Sequence, residues 1–592
     1  MPLFEGTPQP WVLFFSNGLE RCNSLHDLLN NRVKIFDYPA VDIHSQDFWL
    51  RIDEEVTEGS HKFWLNTLKW IEPLIAAAIK EGNAGDSAAA AAQHHAKMWW
   101  DSFKQLDTDW NDDPHIWGGH CTALRTTSLV ALTEVAADAD WLHEALQLHA
   151  DHLKQNFDGY WNHGLVQSIA LEAAGARLGR KEASEVARRR ILDCLDAMVD
   201  SEGCINEQAP EYARYIANLT QTCIQIFESN GLAGLDLLQE KWTSLTEFIA
   251  HSLQPDLTFV ALGDSRSVVP ALIPDSPVEY VLSHGQRGPK IPTTAFYKGG
   301  FIFGRSGFGD RRPIQNESYY SVRFGPGRII HGHNDHMSIT YWAEGRHLIV
   351  DPGHVGYEPG SDRDYVRSAE AHNVVLIEGE KHHWDRSTSA EVIRRTGHWQ
   401  AYRLTDQAYE NFKRVRTALF TNSGPVVVAD QVKGSGQSRY LAQSWNLSNE
   451  FQFQSSDKEL KIFTSAVDGS RLVAASYLVN AGENEVAVPS FDFFRGSVNP
   501  MAGWVANRNS LRPTTQIRFG VRAESACIVT TFFVVPPNDT FGCSYRLGKE
   551  YNSLRISVGE RYWRINHYPA TGELKATTTA PAKVNFPDRW RL

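Results

Sequence analysis

One change in the period of the hydrophobic pattern limits the folds available to this chain. Between about residues 45 and 285, apolar residues recur three and four positions apart, as in "FWLNTLKWIEPLIAAAIKEG", which predicts amphipathic helices. Beyond a polar stretch at 283–294 that contains Gly and Pro, short β-branched and aromatic runs such as "ACIVTTFFVV" alternate with turn residues. The sequence therefore predicts an all-α half followed by an all-β half.

A chain of 592 residues is too long for one ordinary core, so more than one domain is expected. We place a helical domain at 1–285 and an antiparallel β-sandwich at 286–592, with a small β subdomain near 490–592 as a further division. The helical hairpins favour an incomplete (α/α) toroid. A helical solenoid fused to an unrelated β domain fits the same pattern.

Charge and composition exclude several classes of protein. With 58 Lys+Arg against 70 Asp+Glu the net charge is −12, and no basic run interrupts the chain, which argues against a nucleic-acid partner. No window approaches eighteen unbroken apolar residues, so no membrane partner is expected. Seven scattered cysteines are typical of thiols in a reducing compartment.

The start of the chain bears on its location. "MPLFEGTPQPWVLFF" has neither the basic n-region nor the long apolar h-region of a secretory signal. We therefore expect a cytoplasmic protein, and a periplasmic or secreted one if a leader has been removed. A homo-oligomer is compatible with this expectation.

The stretch "RIIHGHNDHMSITYW" concentrates histidines where a strand is expected. If the stretch forms a strand, period-two alternation puts His331, His333 and Asp335 on one face. Asp351 in "VDPG" and His372 in "AEAHN" follow in later strand-like runs. Imidazoles with one carboxylate form a common shell for a divalent metal, with zinc the first choice. Hydrogen-bonded histidines without a metal are the alternative.

The series "HGHND", "EGRHLIVDPGHVGY" and "AHNVVLIEG" resembles the C-terminal sheet domain of the heparinase II/III-like polysaccharide lyases. That family joins an α-toroid to an antiparallel β-sandwich. The resemblance implies that His331 is catalytic and that a structural metal, expected to be Zn²⁺, is bound by His333, Asp351 and His372. It also places Tyr357 near the substrate.

Two segments of the helical half resemble the family's substrate motifs. "GYWNHGLVQ" contains Asn162 and His163, which the resemblance assigns to the substrate carboxylate. "SEGCINEQAPEYARY" makes Tyr212 the catalytic tyrosine and nominates Glu207 and Arg214 as substrate-binding residues.

The helical half also departs from the family pattern and offers simpler interpretations. Ala209 and Ala213 stand where the family has serine and histidine, which leaves the neighbouring subsite in question. "HIWGGHCTALRTTSL" nominates His120 and Arg125 for the substrate, with a capping histidine and a surface arginine as the alternative. A helix cap is the corresponding alternative for Asn162.

The reaction implied by the resemblance is β-elimination at a 4-linked hexuronic acid. The C5 proton is poorly acidic because its removal places negative charge beside a carboxylate, so that carboxylate must be neutralised. Tyr212 is expected to be the acid, with a second role as base left open. His331 is the base for the opposite C5 epimer or a partner in proton transfer.

The predicted function is therefore a lyase acting on an acidic poly- or oligosaccharide. A glycosaminoglycan of the hyaluronan, chondroitin or heparan type is the first choice, and alginate the second. A toroid glycoside hydrolase is one alternative, for which "DTDWNDDPH" at 107–115 offers carboxylates. A non-catalytic glycan-binding protein is the other.

Overall fold

The computed structural model describes residues 22–81, 86–104, 113–136, 139–479 and 486–578. The opening stretch on which the expected location rests therefore lies outside the described residues. So do the carboxylates of the hydrolase alternative at 107–112.

Helices account for most of the first half of the chain, as the apolar spacing predicts. Long helices pack side by side there, α7 against α8 and α9, and α9 against α10. The α-helices are α1 Leu25–Leu29, α2 Gln46–Leu50, α3 Ile52–Glu55, α4 Gly59–Asn66, α5 Glu72–Glu81, α6 Asp86–Phe103, α7 Gly119–Leu132, α8 Asp140–Gln155, α9 Asn162–Leu178, α10 Lys181–Met198, α11 Pro210–Ser229, α12 Leu235–Ser252, α13 Pro277–Leu282 and α14 Ser361–Arg367. No helix in these ranges is both long and apolar enough to span a membrane.

The chain divides into two compact units. The first unit contains the residues up to 200 together with 215–242, and the second contains 201–214 and the residues from 243 onward. The segment that carries Tyr212 thus belongs to the same unit as the sheets. The change from helix to strand falls between Leu282 and Thr294.

Two large antiparallel sheets dominate the second unit. The nine-stranded sheet consists of β3 Thr294–Tyr297, β4 Phe301–Arg305, β5 Tyr319–Arg323, β6 Ile339–Ala343, β7 Arg346–Ile349, β8 Val375–Ile377, β13 Arg439–Leu447, β17 Ser490–Arg495 and β22 Thr515–Ala523. The eight-stranded sheet consists of β9 Ser389–Arg395, β10 Trp399–Tyr409, β11 Phe412–Thr421, β12 Val426–Gly434, β14 Phe451–Asp457, β15 Leu460–Ser465, β16 Arg471–Leu478 and β23 Ser525–Val535.

Smaller sheets complete the β structure. A four-stranded sheet follows the large ones, and two-stranded hairpins lie near each end of the chain. These strands are β24 Phe541–Arg546, β25 Asn552–Val558, β26 Arg561–Tyr568 and β27 Glu573–Thr578 in the four-stranded sheet, and β1 Arg32–Val33, β2 Val41–Asp42, β18 Ser497–Val498, β19 Met501–Ala502, β20 Trp504–Asn507 and β21 Ser510–Pro513 in the hairpins.

The eight-stranded sheet is buried on both faces. Val426 and Val428 of β12 enter the core shared with the nine-stranded sheet, whereas Val427 and Ala429 enter the core shared with the four-stranded sheet. Burial on both faces explains why "PVVVAD" reads as a continuous apolar run and does not alternate.

The histidine-rich stretch is not a strand, so the expected alternation of side chains there is wrong. Residues 328–338 form turns, and β6 begins only at Ile339. The backbone of Ile330 (φ 29°) and Met337 (φ 73°) lies in the left-handed region, which is incompatible with a strand. Asp335, expected beside the two histidines, instead pairs with the buried Arg323 at 3.1 Å.

A buried arginine holds the two loops that carry the histidines. The guanidinium of Arg416 on β11 donates to Asp430 at 2.7 and 2.8 Å, and to the carbonyl oxygens of Met337 and Asn373. Arg416 has no exposed surface. The eight-stranded sheet therefore holds the loops that carry His333 and His372.

We expect Arg416→Met to lower the apparent free energy of unfolding by about 3 to 5 kcal/mol, because Asp430 is left as a buried charge without its partner. Urea denaturation followed by tryptophan fluorescence measures the change. Arg403→Met is the control, since Arg403 pairs with the exposed Glu391 and its loss should cost about 1 kcal/mol or less. Equal effects of the two substitutions would contradict this account.

Candidate active site

Three aromatic side chains meet in the second unit at the start of α11. The ring of Tyr212 stacks on the imidazole of His331, with centroids 3.9 Å apart and planes 19° apart. The hydroxyl groups of Tyr212 and Tyr357 are in hydrogen-bond contact. The fold therefore brings together the two residues expected to act as acid and base.

The carboxylate of Asp264 connects this group to the second histidine of "HGH". His331 Nδ1 lies 2.9 Å from Oδ2 and His333 Nε2 lies 3.0 Å from Oδ1. Arg363 donates to both oxygens, at 2.6 and 2.8 Å, and His354 Nδ1 lies 3.1 Å from Oδ1. An ionised carboxylate only accepts hydrogen bonds, so His331 Nδ1 and His333 Nε2 carry protons, whereas His354 Nδ1 also lies 2.9 Å from an N–H of Arg363 and can accept there.

This arrangement fixes which nitrogen of each neutral ring carries the proton. In a neutral imidazole, a proton on Nδ1 leaves the lone pair on Nε2, so His331 presents Nε2 as a proton acceptor. The same reasoning leaves Nδ1 of His333 as its lone-pair nitrogen. Glu207 Oε2 lies 3.5 Å from His331 Nε2, close enough to stabilise an imidazolium at this position.

Local backbone contacts explain the glycines around these side chains. A Cβ on Gly332 would lie 2.2 Å from the side-chain oxygen of Gln208, which accepts a hydrogen bond from the backbone of Ile329. A Cβ on Gly263, where φ is 56°, would lie 2.6 Å from the carbonyl oxygen of His331. Glycine at both positions lets the loops approach closely enough for Asp264 to reach the histidines.

Burial and charge set the protonation of the other groups. Burial raises the pKa of the Tyr212 hydroxyl far above its ordinary value, and Tyr357, Asp264 and Glu207 raise it further. Tyr212 is therefore a neutral phenol that can donate a proton. Burial alone would raise the pKa of Asp264, but its hydrogen bonds with the histidines and Arg363 hold the pKa well below the usual range.

His333, Asp351 and His372 form a buried cluster. One potential ligand atom from each residue lies within 4.8 Å of the others. His333 Nδ1 and His372 Nε2 are both buried and lack a hydrogen-bond partner, as expected of nitrogens that bind a metal ion. His333 also shows the usual pattern of a metal-binding histidine, with its other nitrogen on a carboxylate. The donor set fits a divalent metal.

Two asparagines hold the strands around this cluster. The side-chain amide of Asn373 donates to the carbonyl oxygens of Ile339 at 2.9 Å and Val350 at 2.8 Å. Asn446 donates its side-chain amide to Ala371 at 2.6 Å. These bonds fix the backbone next to both Asp351 and His372.

Asn162, His163, His120 and Arg125 lie in the first unit. The helix α9 begins at Asn162 with Trp161 as its cap residue, so Asn162 is not the N-cap. The imidazoles of His120 and His163 meet edge to face with centroids 4.0 Å apart. Burial and the proximity of His163 lower the pKa of His120 to about 3. The substrate roles of Asn162, His163 and His120 stay predictions of the sequence.

The structure does not support a substrate contact for Arg125. This side chain is fully buried, lies 3.8 Å over the ring of Trp99, and donates to His149 at 3.0 Å and to the carbonyl of Asn66 at 2.9 Å. Its hydrogen bonds are internal. Arg125 is therefore a core residue of the first unit and not the surface arginine of the alternative interpretation.

Glu207 is also buried, whereas the substrate role of Arg214 stays a prediction. Only 1% of Glu207 is exposed, and its Oε2 lies 3.5 Å from His331 Nε2, so the structure places this carboxylate against the histidine. Arg214 was expected to bind substrate, and burial lowers its pKa. Arg266 and Arg363 are cations that interact electrostatically with both Tyr212 and Tyr357.

Asp264, Arg363 and Gln208 were missed by the sequence reasoning. Asp264 lies in "ALGDSRS", between the last long helix and the first strand of the sheets, where neither period nor motif marks it. Arg363 follows the "GHVGY" segment closely, and its proximity to that motif is a signal that could have nominated it. The two departures from the family pattern, Ala209 and Ala213, are both fully buried.

The comparisons with known proteins agree with this architecture. Residues 296–545 match the family model for the heparinase II/III-like C-terminal domain. No curated protein matches the sequence.

Solved structures with the same fold cover nearly the whole chain. A heparinase III gene product is 17% identical with a TM-score of 0.70, over 95% of this chain and 90% of that one. Heparan sulfate lyase HepC from Pedobacter heparinus is 16% identical with a TM-score of 0.69, over 95% and 89%. Another heparinase III is 14% identical with a TM-score of 0.68, over 98% and 92%.

These similarities confirm the predicted fold class, a helical toroid followed by an antiparallel β-sandwich. The family model covers the loops with His331, His333, Asp351 and His372. The resemblance to the heparinase II/III-like family is therefore confirmed over the C-terminal domain, residues 296–545.

Proposed function

We propose that this protein is a polysaccharide lyase that cleaves 4-linked uronate glycans by β-elimination. The observation that carries the proposal is the stacked pair of Tyr212 and His331, one a neutral phenol and the other an imidazole with Nε2 as acceptor. An acid and a base in contact are what elimination requires, because one proton leaves C5 as another reaches O4.

In the proposed reaction, His331 Nε2 takes the C5 proton, and Asp264 and Glu207 stabilise the resulting imidazolium. The electron pair of the C5–H bond forms the C4–C5 double bond, and the C4–O4 bond breaks. Tyr212 gives its phenolic proton to the departing O4. Tyr357 is 54% exposed and in contact with the half-buried Tyr212, so it connects that phenol to solvent and restores its proton between turnovers.

The substrate class is supported by the folds that this chain shares. The similar structures are named heparinase III and heparan sulfate lyase, so a heparan-type glycosaminoglycan is the first choice. Asn162 and His163 are proposed to bind the uronate carboxylate. Hyaluronan, chondroitin and alginate are the other candidates.

His333, Asp351 and His372 are proposed to bind Zn²⁺, whose role is structural. A bound divalent ion supplies positive charge that fixes its ligands and the loops on which they lie. His333 also contacts Asp264, so the ligand and the base share one carboxylate.

We expect Tyr212→Phe to lower kcat by about 10²- to 10⁴-fold, because phenylalanine keeps the stacked ring but has no proton to donate. The assay measures ultraviolet absorbance of the unsaturated uronate over a panel of heparan sulfate, hyaluronan, chondroitin and alginate. New absorbance with the unaltered protein supports a lyase. New reducing ends without absorbance would indicate a hydrolase, and neither signal would indicate a binding protein. Substantial turnover by Tyr212→Phe would exclude the tyrosine as the acid.

Asp264→Asn should lower kcat by about 10²-fold or more while KM changes little, because the amide cannot hold protons on both imidazoles. Asp256→Asn is a matched control, since Asp256 also pairs with a histidine, His347, at 3.2 Å. The control should keep full activity. Equal losses in the two variants would show that the effect is a general one of breaking a carboxylate–histidine pair.

His333→Ala should reduce the bound metal per chain and the melting temperature together, because a structural ion binds only the folded state. Inductively coupled plasma mass spectrometry and differential scanning calorimetry measure the two quantities. The exposed His398, changed to Ala, serves as the control. A stable, active, metal-free His333→Ala protein would refute the structural role of the metal.

A further inference from the structure

The four-stranded sheet β24–β27 has one face in the core and one face outward. Leu554 and Ile556 of β25 and Trp563 and Ile565 of β26 are buried in the core shared with the eight-stranded sheet. Side chains alternate along a strand, so the residues between them point the other way. The family model ends at residue 545 and does not extend over β25–β27.

Two arginines lie directly opposite each other on this outward face. Arg555 of β25 and Arg564 of β26 are cross-strand partners. Like charges directly opposite are destabilising, and neither arginine forms an ion pair within the described ranges. An anion between the two guanidinium groups would turn this repulsion into attraction.

The neighbouring pair adds polar groups that await a partner. Ser553 and Asn566 are also cross-strand partners, two residues along from the arginines on the same face. Four atoms of this patch are buried and have no hydrogen-bond partner. They are Ser553 Oγ, Arg555 Nε, Arg564 Nε and Asn566 Oδ1.

The surroundings of the patch are cationic and aromatic. Arg546 pairs with Ser553 from β24, and Lys575 pairs with Asn566 from β27. Glu573 is the acidic side chain of this face, and it pairs with Lys575 at 3.0 Å. The rings of Tyr551 and Tyr568 lie 5.5 Å apart at the edge.

We propose that the outward face of β24–β27 is a second binding site for acidic glycan chains, separate from the catalytic residues. A carboxylate or sulfate group accepts hydrogen bonds from the two guanidinium groups, and sugar hydroxyls lie beside Ser553 and Asn566. The tyrosine pair offers a flat apolar surface to a sugar ring. The choice of glycan rests on the proposed function, whereas the need for an anion rests on the opposed arginines.

A glycan fits these groups better than a nucleic acid. The chain carries a net charge of −12, so its overall field disfavours any polyanion that is held by charge alone. A hydroxyl and an amide beside the arginines are suited to a ligand that carries hydroxyl groups as well as charge.

The test uses two double variants. The first pair is Arg555→Gln/Arg564→Gln. The control pair is Arg311→Gln/Arg512→Gln, which removes the same charge from two exposed arginines elsewhere in the second unit. Both pairs are made in the Tyr212→Phe protein, so that glycan chains stay intact. Binding to immobilised heparan sulfate, hyaluronan and alginate is measured by surface plasmon resonance. We expect Kd to rise about tenfold or more for the first pair and less than twofold for the control.

Two further measurements make the result specific. Single-stranded DNA should bind weakly and equally to both pairs, and an equal loss of DNA and glycan binding in the first pair would overturn the proposal. Without ligand, the first pair should melt no lower than the parent, since a repulsion is removed. A lower melting temperature with unchanged glycan binding would show a structural role and overturn it.

The proposed lyase activity is separable from this site. With Tyr212 intact, both pairs should cleave a short tetrasaccharide with unchanged kcat and KM. Loss of chain binding in the first pair, with no unsaturated product from any protein, would refute the lyase and leave this site standing. Unchanged chain binding with normal turnover would refute the site alone.

Discussion

The carboxylate of Asp264 accepts hydrogen bonds from the imidazoles of His331 and His333 and from the guanidinium of Arg363. The geometry of the candidate site depends on these hydrogen bonds to one carboxylate. One oxygen faces His331 and the other faces His333. Because an ionised carboxylate has no proton to give, it orients both rings and fixes which nitrogen of each is free. The free nitrogen of His331 is available to a substrate, and that of His333 belongs to the buried cluster with Asp351 and His372.

The "HGH" motif thus gives two chemically different histidines from one loop. Gly332 between them is needed because Gln208 packs against its Cα, and Gly263 is needed because its backbone approaches His331. The loop itself is held by Arg416, which reaches it from the opposite sheet. The buried pair of Arg416 and Asp430 therefore stabilises a site whose residues lie on turns. Without it, few contacts would hold the backbone of these turns in place.

The fold and much of the site could be predicted from sequence because periodicity and motifs report on local structure. The change at 283–294 is of this kind. The cluster of His333, Asp351 and His372 and the meeting of Tyr212 with His331 were instead implied by the resemblance to the family, because these residues are far apart in sequence. Asp264 could not be found, because its partners are 67 to 99 residues away and a lone Asp in "GDS" carries no local signal. The predicted strand at 328–338 failed because turns with left-handed residues interrupt an apparently alternating pattern.

Neutron diffraction from deuterium-exchanged crystals tests most directly whether Asp264 accepts hydrogen bonds from both His331 and His333, because it locates the hydrogens that X-rays do not show. The account predicts deuterium on Nδ1 of His331, on Nε2 of His333 and on the hydroxyl of Tyr212, with none on Asp264. Deuterium on Nε2 of His331 with a bare Nδ1, or a protonated Asp264, would contradict it.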